Sequence, residues 1–288
     1  MGTLSSVPAV FRSGSFNGDG RQDLLVRNAR TGELFVLPHR GEFKGPDTYG
    51  DPVLIGTGFG LHLWLCAGDL TGDGTADLVC ITNDDRTLVF LNQGGLDGPH
   101  TLGEPIHVGG KPPERTYDTI ALGDLTGDGI VDIIGRVQGT GEIHRILHQG
   151  KVDGPHTFAP PADFALVDPT DLPVGLADIT GDGEPDLLLR RADGTLVVHE
   201  VYAGGKGEDA RPLAPAGFHP LGTGWDKALA IDITDIDGDG RPDLLALHAD
   251  GTLVVHRHSG TFDPADPGAT FLPPVALGTG WADFDIVS

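Results

Sequence analysis

The stretch DIDGDGRPD, residues 235–243, packs four carboxylates and two glycines into nine positions, and four other stretches repeat its plan. They read SFNGDGRQD (15–23), DLTGDGTAD (69–77), DLTGDGIVD (124–132) and DITGDGEPD (178–186). Their starts lie 54, 55, 54 and 57 residues apart, and near-constant spacing of a nine-residue pattern marks a tandem array.

Around each loop the unit repeats more loosely. A short apolar stretch precedes it, as in LHLWLCAG (61–68) and KALAIDIT (227–234). A β-type run follows: DLLVRN, DLVCIT, DIIGRV, DLLLRR or DLLALH. A turn then leads to a third run, such as GELFVLPH (32–39) or GTLVVHRH (251–258), and a Gly/Pro-rich connection to a fourth ending in GTGF (56–59) or GTGW (222–225 and 278–281). Four short strands between Gly, Asp and Pro turns make one propeller blade. No window carries a sustained 3.6-residue apolar period, so helix is expected to be nearly absent. The expected fold is therefore an all-β, five-bladed β-propeller with four antiparallel strands per blade, forming a single domain over residues 1–288. The nine-residue loop joins the first and second strand of each blade. A strand before Ser15 is expected to open the first unit. The tail WADFDIVS (281–288) aligns with WDKALAID (225–232) and either pairs at the seam between first and last blades or belongs to a longer array.

The chain has 288 residues, 45 of them Gly and 22 Pro, with 39% apolar residues, so it is rich in turns yet able to build a core. Its formal charge of −23 argues against nucleic acid and against an anionic membrane surface, since both are gripped by Lys and Arg. No run approaches the roughly 18 apolar residues of a membrane span. Residues 1–16 carry no apolar block of the kind a signal peptide needs. Cys66 and Cys80 flank loop two symmetrically, as a disulfide or as two buried thiols.

The loop spacing has a chemical reason. A calcium ion takes six to eight oxygen ligands, and a tightly curled chain can supply them from the side chains of positions 1, 3, 5 and 9 and the carbonyl of position 7. Glycines at positions 4 and 6 allow the curl, because they accept positive φ. Asp and Gly also make ordinary turns, but three or four carboxylates in nine residues repel one another without a counter-ion. The expected ligands are Asp69, Thr71, Asp73, Thr75 and Asp77 in loop two, and Asp124, Thr126, Asp128, Ile130 and Asp132 in loop three. Loop four offers Asp178, Thr180, Asp182, Glu184 and Asp186, and loop five Asp235, Asp237, Asp239, Arg241 and Asp243. Loop one offers Ser15, Asn17, Asp19, Arg21 and Asp23, and is the weakest because Ser15 and Asn17 carry no charge. Loop five, with four acids, is expected to hold its ion most tightly. The beginning of the pattern is similar to an EF-hand loop, but its last acid falls at position 9 and its flanks read as strands.

These loops, their Asp-Leu runs and the Gly-Thr-Gly-Trp strand ends resemble FG-GAP repeats, also called VCBS-type repeats, over nearly the whole chain. The resemblance implies calcium, about one ion in each of five loops, and an extracellular or secreted setting. Family propellers often have seven blades, whereas this sequence has five loops. The repeat is a scaffold of adhesins, lectins and enzyme-appended domains and does not itself name an activity.

The function expected is a calcium-stabilised binding module, lectin-like or adhesive, that recognises a glycan or protein through inter-blade loops. KGPDTY (44–49), DGPHTL (97–102) and DGPHTF (153–158) occupy equivalent places for such contacts, although a repeated Gly-Pro turn explains them more simply. Units four and five depart from that motif, with GKGEDARP (205–212) and DPGATF (266–271). His39, His148 and His258 recur at the end of the third strand and read as scattered surface residues, and Trp225 and Trp281 as packing between blades. A carbohydrate-active or tailoring enzyme on a propeller frame ranks below the binding module. The acids are committed to the loops, Cys66 and Cys80 lie in apolar runs, and no G-x-S-x-G is present. A non-catalytic interaction scaffold is the third reading.

Overall fold

The computed structural model describes residues 14–84, 86–110, 117–202, 211–212 and 217–287. Five four-stranded antiparallel sheets form a β-propeller, and no α-helix occurs among the described residues. Blade two comprises His62–Gly68, Asp77–Thr82, Arg86–Phe90 and Ile106–Gly110, and blade three Tyr117–Gly123, Asp132–Val137, Glu142–Ile146 and Ala162–Leu166. Blade four comprises Leu172–Ala177, Asp186–Arg190, Leu196–His199 and Phe218–Gly222, with a small ribbon of Val201–Tyr202 and Arg211–Pro212 beside it. Blade five comprises Ala228–Thr234, Asp243–His248, Leu253–His256 and Val275–Gly278.

Blade one is built from both ends of the chain. Leu24–Asn28, Leu34–Leu37 and Val53–Gly56 supply its outer three strands, and Phe284–Val287 its first. The register Val26↔Val287 and Arg27↔Ile286 places the C-terminal strand where the sequence had suggested a strand before Ser15. The ring is thereby closed at the seam of first and last blades. Residues 1–13 lie outside the described residues.

The second strand of each blade explains why the array needs a ring. Leu24–Asn28, Asp77–Thr82, Asp132–Val137, Asp186–Arg190 and Asp243–His248 are buried almost throughout, with no alternation of apolar and polar positions. A strand with no wet face is covered on both sides, here by the two neighbouring blades. Strands around the axis also touch from blade to blade, as Leu172–Ala177 does with both Tyr117–Gly123 and Ala228–Thr234.

The cysteines do not form a disulfide. The pairs Leu65↔Cys80 and Cys66↔Val79 set the two thiols one register step apart, on opposite faces of the sheet. Both are buried thiols; burial pushes the Cys80 thiol up to about 12 and raises Cys66 as well. Neither thiol is expected to react with a thiol reagent until the protein unfolds, and rapid labelling of the native protein would contradict this burial.

Candidate functional site

The five acidic loops share one conformation and gather on one face. Their glycines have positive φ, from 70° at Gly127 to 90° at Gly183, as the curl requires. The first acid organises each turn from inside. Asp69 Oδ1 accepts hydrogen bonds from the Thr71, Gly72 and Asp73 amides while Oδ2 accepts that of Gly74 at 2.8 Å. Asp124, Asp178 and Asp235 hold Gly129, Gly183 and Gly240 in the same way. The fifth-position acid then turns the chain outward, as Asp73, Asp128, Asp182 and Asp239 each accept the amide two residues on.

The residues expected as ligands are brought together to different degrees. In loop five Asp235, Asp237 and Asp239 each offer an oxygen within 4.8 Å of the others, the one such acidic cluster among the described residues. Two arginines already lean on it: Arg257 donates to Asp237 at 3.0 Å, and Arg241 lies 3.8 Å from Asp239. Asp237 Oδ1 is nevertheless buried without a hydrogen-bond partner. Loop one is satisfied internally, since Asn17 donates to Asp19 at 3.1 Å and the Ser15 hydroxyl accepts from Gly20. The carbonyl positions Arg21, Thr75, Ile130, Glu184 and Arg241 follow the fifth-position acid in every loop.

The ninth-position acids stand apart from these clusters and carry a second task. Asp23, Asp77, Asp132, Asp186 and Asp243 are at most 1% exposed. Asp77 accepts the Leu70 amide on Oδ2 and the Asn92 amide on Oδ1, at 3.0 and 2.8 Å. Asp23, Asp132 and Asp243 make the same pair of bonds, tying the loop's second residue to the end of the third strand. Asp186 accepts Ile179 and Thr180 through Oδ2, and its Oδ1 has no partner. Burial raises all five carboxyls, Asp23 and Asp132 to about 6 and Asp77, Asp186 and Asp243 to about 7.

The third-strand histidines are not scattered surface groups. His39, His148 and His258 are buried, and each ring accepts at Nδ1 the amide of Gly41, Gly150 or Gly260. An amide aimed at Nδ1 needs a lone pair there, so the proton sits on Nε2. From there His39 donates to the Ile236 carbonyl of blade five, and His258 to the Ile179 carbonyl of blade four. In blade two Asn92 does the same work, donating to the Phe16 carbonyl at 2.9 Å. These latches cross every seam at which they form, and their acceptors are the apolar second residues of the loops. Phe16, Leu70, Leu125, Ile179 and Ile236 are all buried, a repeated apolar position that the sequence displayed but that the metal pattern overshadowed.

The Gly-Pro turns are also seam contacts. Gly45, Gly98 and Gly154 adopt φ of 58°, 53° and 52° and face the carbonyls of Ala276, Leu54 and His107 on the outer strand of the preceding blade. Thr48, Thr101 and Thr157 behind them are fully buried. DPGATF of unit five, despite its different sequence, closes the same turn, with Thr270 donating to Pro267 and Phe271 bridging to His258. Most of GKGEDARP lies outside the described residues.

The opposite face holds a further feature. At three seams the turn leaving a blade docks an aromatic residue on that blade's hairpin: Phe59 on Gly32, Trp225 on Gly194 and Trp281 on Gly251, each by a backbone bond. Trp225 goes on to pack against His256 of blade five at 4.7 Å, as packing between blades requires. Between blades three and four Val167 makes that bond, to Gly141, and a cavity of about 460 Å³ opens beside it. Leu166, Asp168, Thr170, Asp171, Arg191 and Phe218 contribute to its wall. Below it, Arg136 donates to the Asp171 and Pro169 carbonyls, as Arg27 does to Phe59 and Arg190 to Trp225 and Ala228. These arginines recur after the Asp-Leu runs at a fixed place in units one, three and four, a signal the loop pattern alone did not reveal.

Fold and loops together define a repeat propeller. The chain belongs to the FG-GAP-like repeat family, whose profile matches residues 16–80, 69–135 and 178–246. Comparison with curated proteins finds none that matches. Among solved structures it is similar to an Agrocybe aegerita lectin described for specific recognition of non-reducing terminal N-acetylglucosamine. The two are 20% identical, with a TM-score of 0.50, over 93% of this chain and 80% of that one. It is also similar to BBS1N, solved in complex with ARL6DN, at 10% identity and a TM-score of 0.44, over 94% of this chain and 84% of that one. At these identities the likeness is one of fold.

Proposed function

We propose that this propeller is a calcium-stabilised binding module that recognises a glycan or a protein. The observation that carries the calcium reading is a pair of carboxylate oxygens, Asp186 Oδ1 and Asp237 Oδ1, buried in the acidic loops with no hydrogen-bond partner. A buried unpaired carboxylate oxygen is costly, and a hard cation at the loop centre removes the cost. The donor set fits: oxygen ligands alone, from carboxylates, Thr hydroxyls and carbonyls, suit calcium rather than a softer metal. The ninth-position acids can take part without releasing their amides, since each carboxylate oxygen keeps a second lone pair. Loop one, whose polar atoms bond to one another, is the least dependent on an ion.

The binding reading draws on the propeller frame, on which the lectin described above builds a glycan-recognition protein. Metal and ligand are separable. Calorimetric titration of the chelated protein with calcium is expected to show several sites, and Asp239→Ala should remove or weaken the loop-five site by tenfold or more. A titration showing no heat, or one identical in the variant, would return the loops to plain turns.

A further inference from the structure

We propose that the cavity between blades three and four is the ligand site, and that it takes a neutral or amino sugar. This inference rests on the binding-module reading and gives that reading a location. The cavity exists because the repeat is broken there. Val167 stands where Phe59, Trp225 and Trp281 dock at other seams, and the turn continues as Asp168-Pro169-Thr170-Asp171. Among the described residues, the other three seams that make this bond carry an aromatic residue in its place.

The wall carries donors and acceptors at the spacing of hydroxyl groups. Arg191 Nε lies 4.0 Å from Asp171 Oδ2, too far for a direct hydrogen bond and close enough for one ligand hydroxyl to accept from the guanidinium while donating to the carboxylate. Asp171 is only 5% exposed, so its carboxylate is fixed and largely dry. Arg191 is held by the Phe218 ring, 5.8 Å beneath it, and that ring is stacked on His199 at 3.8 Å. Asp168 is fixed by the Thr170 amide and hydroxyl at 2.9 and 2.6 Å, and Asp193 by the Thr195 amide. Positioning groups so that they are rigid before the ligand arrives lowers the entropic cost of binding. At the rim Leu166 is 77% exposed, an apolar surface for the C–H face of a sugar ring. The cavity volume falls in the usual range for small-ligand sites, about 300–1,000 Å³.

Charge selects among sugars. Asp168, Asp171 and Asp193 outnumber Arg191, so the pocket disfavours uronic acids, sialic acids and sulfated or phosphorylated glycans. An ammonium group at the ring is tolerated and is attracted to the spare carboxylates.

The test uses the calcium-loaded protein and methyl glycosides of a neutral hexose, an amino sugar and a uronic acid, at millimolar concentration, read by saturation-transfer NMR. Signal is expected from the first two and at least fivefold less from the uronic acid. Val167→Trp installs the aromatic residue of the other seams and should abolish the signal. Arg191→Met, which keeps the stem over Phe218, should reduce it at least fivefold with an unchanged melting temperature, and it serves if the tryptophan variant fails to fold. Silence from all three sugars, a strongest signal from the uronic acid, or full signal in either folded variant would overturn the proposal. A cationic peptide that binds the wild-type pocket while every sugar stays silent would do so as well. The cavity lies at the opposite end of the strands from the acidic loops, so the measurement is repeated in EDTA on protein that remains folded. Signal that persists there supports the pocket whatever becomes of the calcium reading.

Discussion

Asp77→Ala is expected to destabilise the propeller by about 2–6 kcal/mol, and to do so with no metal present. Asp77 accepts two backbone amides in a fully buried place, and alanine leaves both Leu70 and Asn92 without an acceptor. Each orphaned buried donor costs about 1–3 kcal/mol. Asparagine rescues little, because its amide group meets one of the two amides donor to donor. The Asn92 amide sits at the latch to blade one, so the loss also loosens the seam. Urea denaturation of wild type and variant, both in EDTA, measures the effect. An unchanged midpoint would show that these bonds add nothing and that the ninth acid serves the cation alone.

Removing calcium is expected to have the other large effect, and its size depends on pH. A ligand that binds only the folded state stabilises it by about 2.7 kcal/mol per site at a hundred times Kd, so several loaded loops together dominate the stability. Chelation should therefore lower the melting temperature strongly at neutral pH. In EDTA the ninth-position carboxyls titrate near 6 to 7 in the fold, against an ordinary value of 3.8. A raised carboxyl holds its proton in the folded state while the unfolded chain has already released it. Below the ordinary value the groups contribute nothing. As pH rises from there to the folded values, stability falls, and above them the penalty is complete. The chelated protein should thus melt higher at about pH 5 than at about pH 8. With calcium the trend reverses, because protons compete with the cation for the same oxygens. Melting curves with and without EDTA across this range should converge toward acid, and superimposable curves would refute the metal.

Much of the fold was legible because it is written five times. A nine-residue pattern at near-constant spacing, followed each time by an unbroken apolar run, leaves few architectures other than a ring of blades. The same repetition marked the Gly-Pro turns, and their service as seam contacts agrees with the simpler of the two expectations. The latches were not legible, because His39 and its acceptor Ile236 are 197 residues apart and only ring closure makes them neighbours. His258 and Ile179 are hidden in the same way. Symmetry about the loop left both a disulfide and two buried thiols open for the cysteines, and the register Cys66↔Val79 decides for the thiols, because one residue decides which face a side chain takes. The cavity was hidden for the opposite reason: Val167 to Asp171 looked like noise in the repeat, and it acquires meaning only when three other seams show what belongs there. In the loops, the positions of the acids were plain, but the burial of the ninth acid and its two amide partners belong to packing between blades.

The closing of blade one by Phe284–Val287 has a consequence for how the protein is made. Val26 must wait for Val287, and at about 5–20 residues per second a ribosome delivers that partner on the order of tens of seconds later. During that interval four blades can assemble in turn as each is translated, while the first keeps an unpaired inner edge able to recruit a strand from another chain. Pairing over so long a sequence separation is slow even after release. The arrival of Phe284–Val287 thus sets the period during which two nascent copies can exchange partners, and shielding that one edge is what a chaperone would have to do.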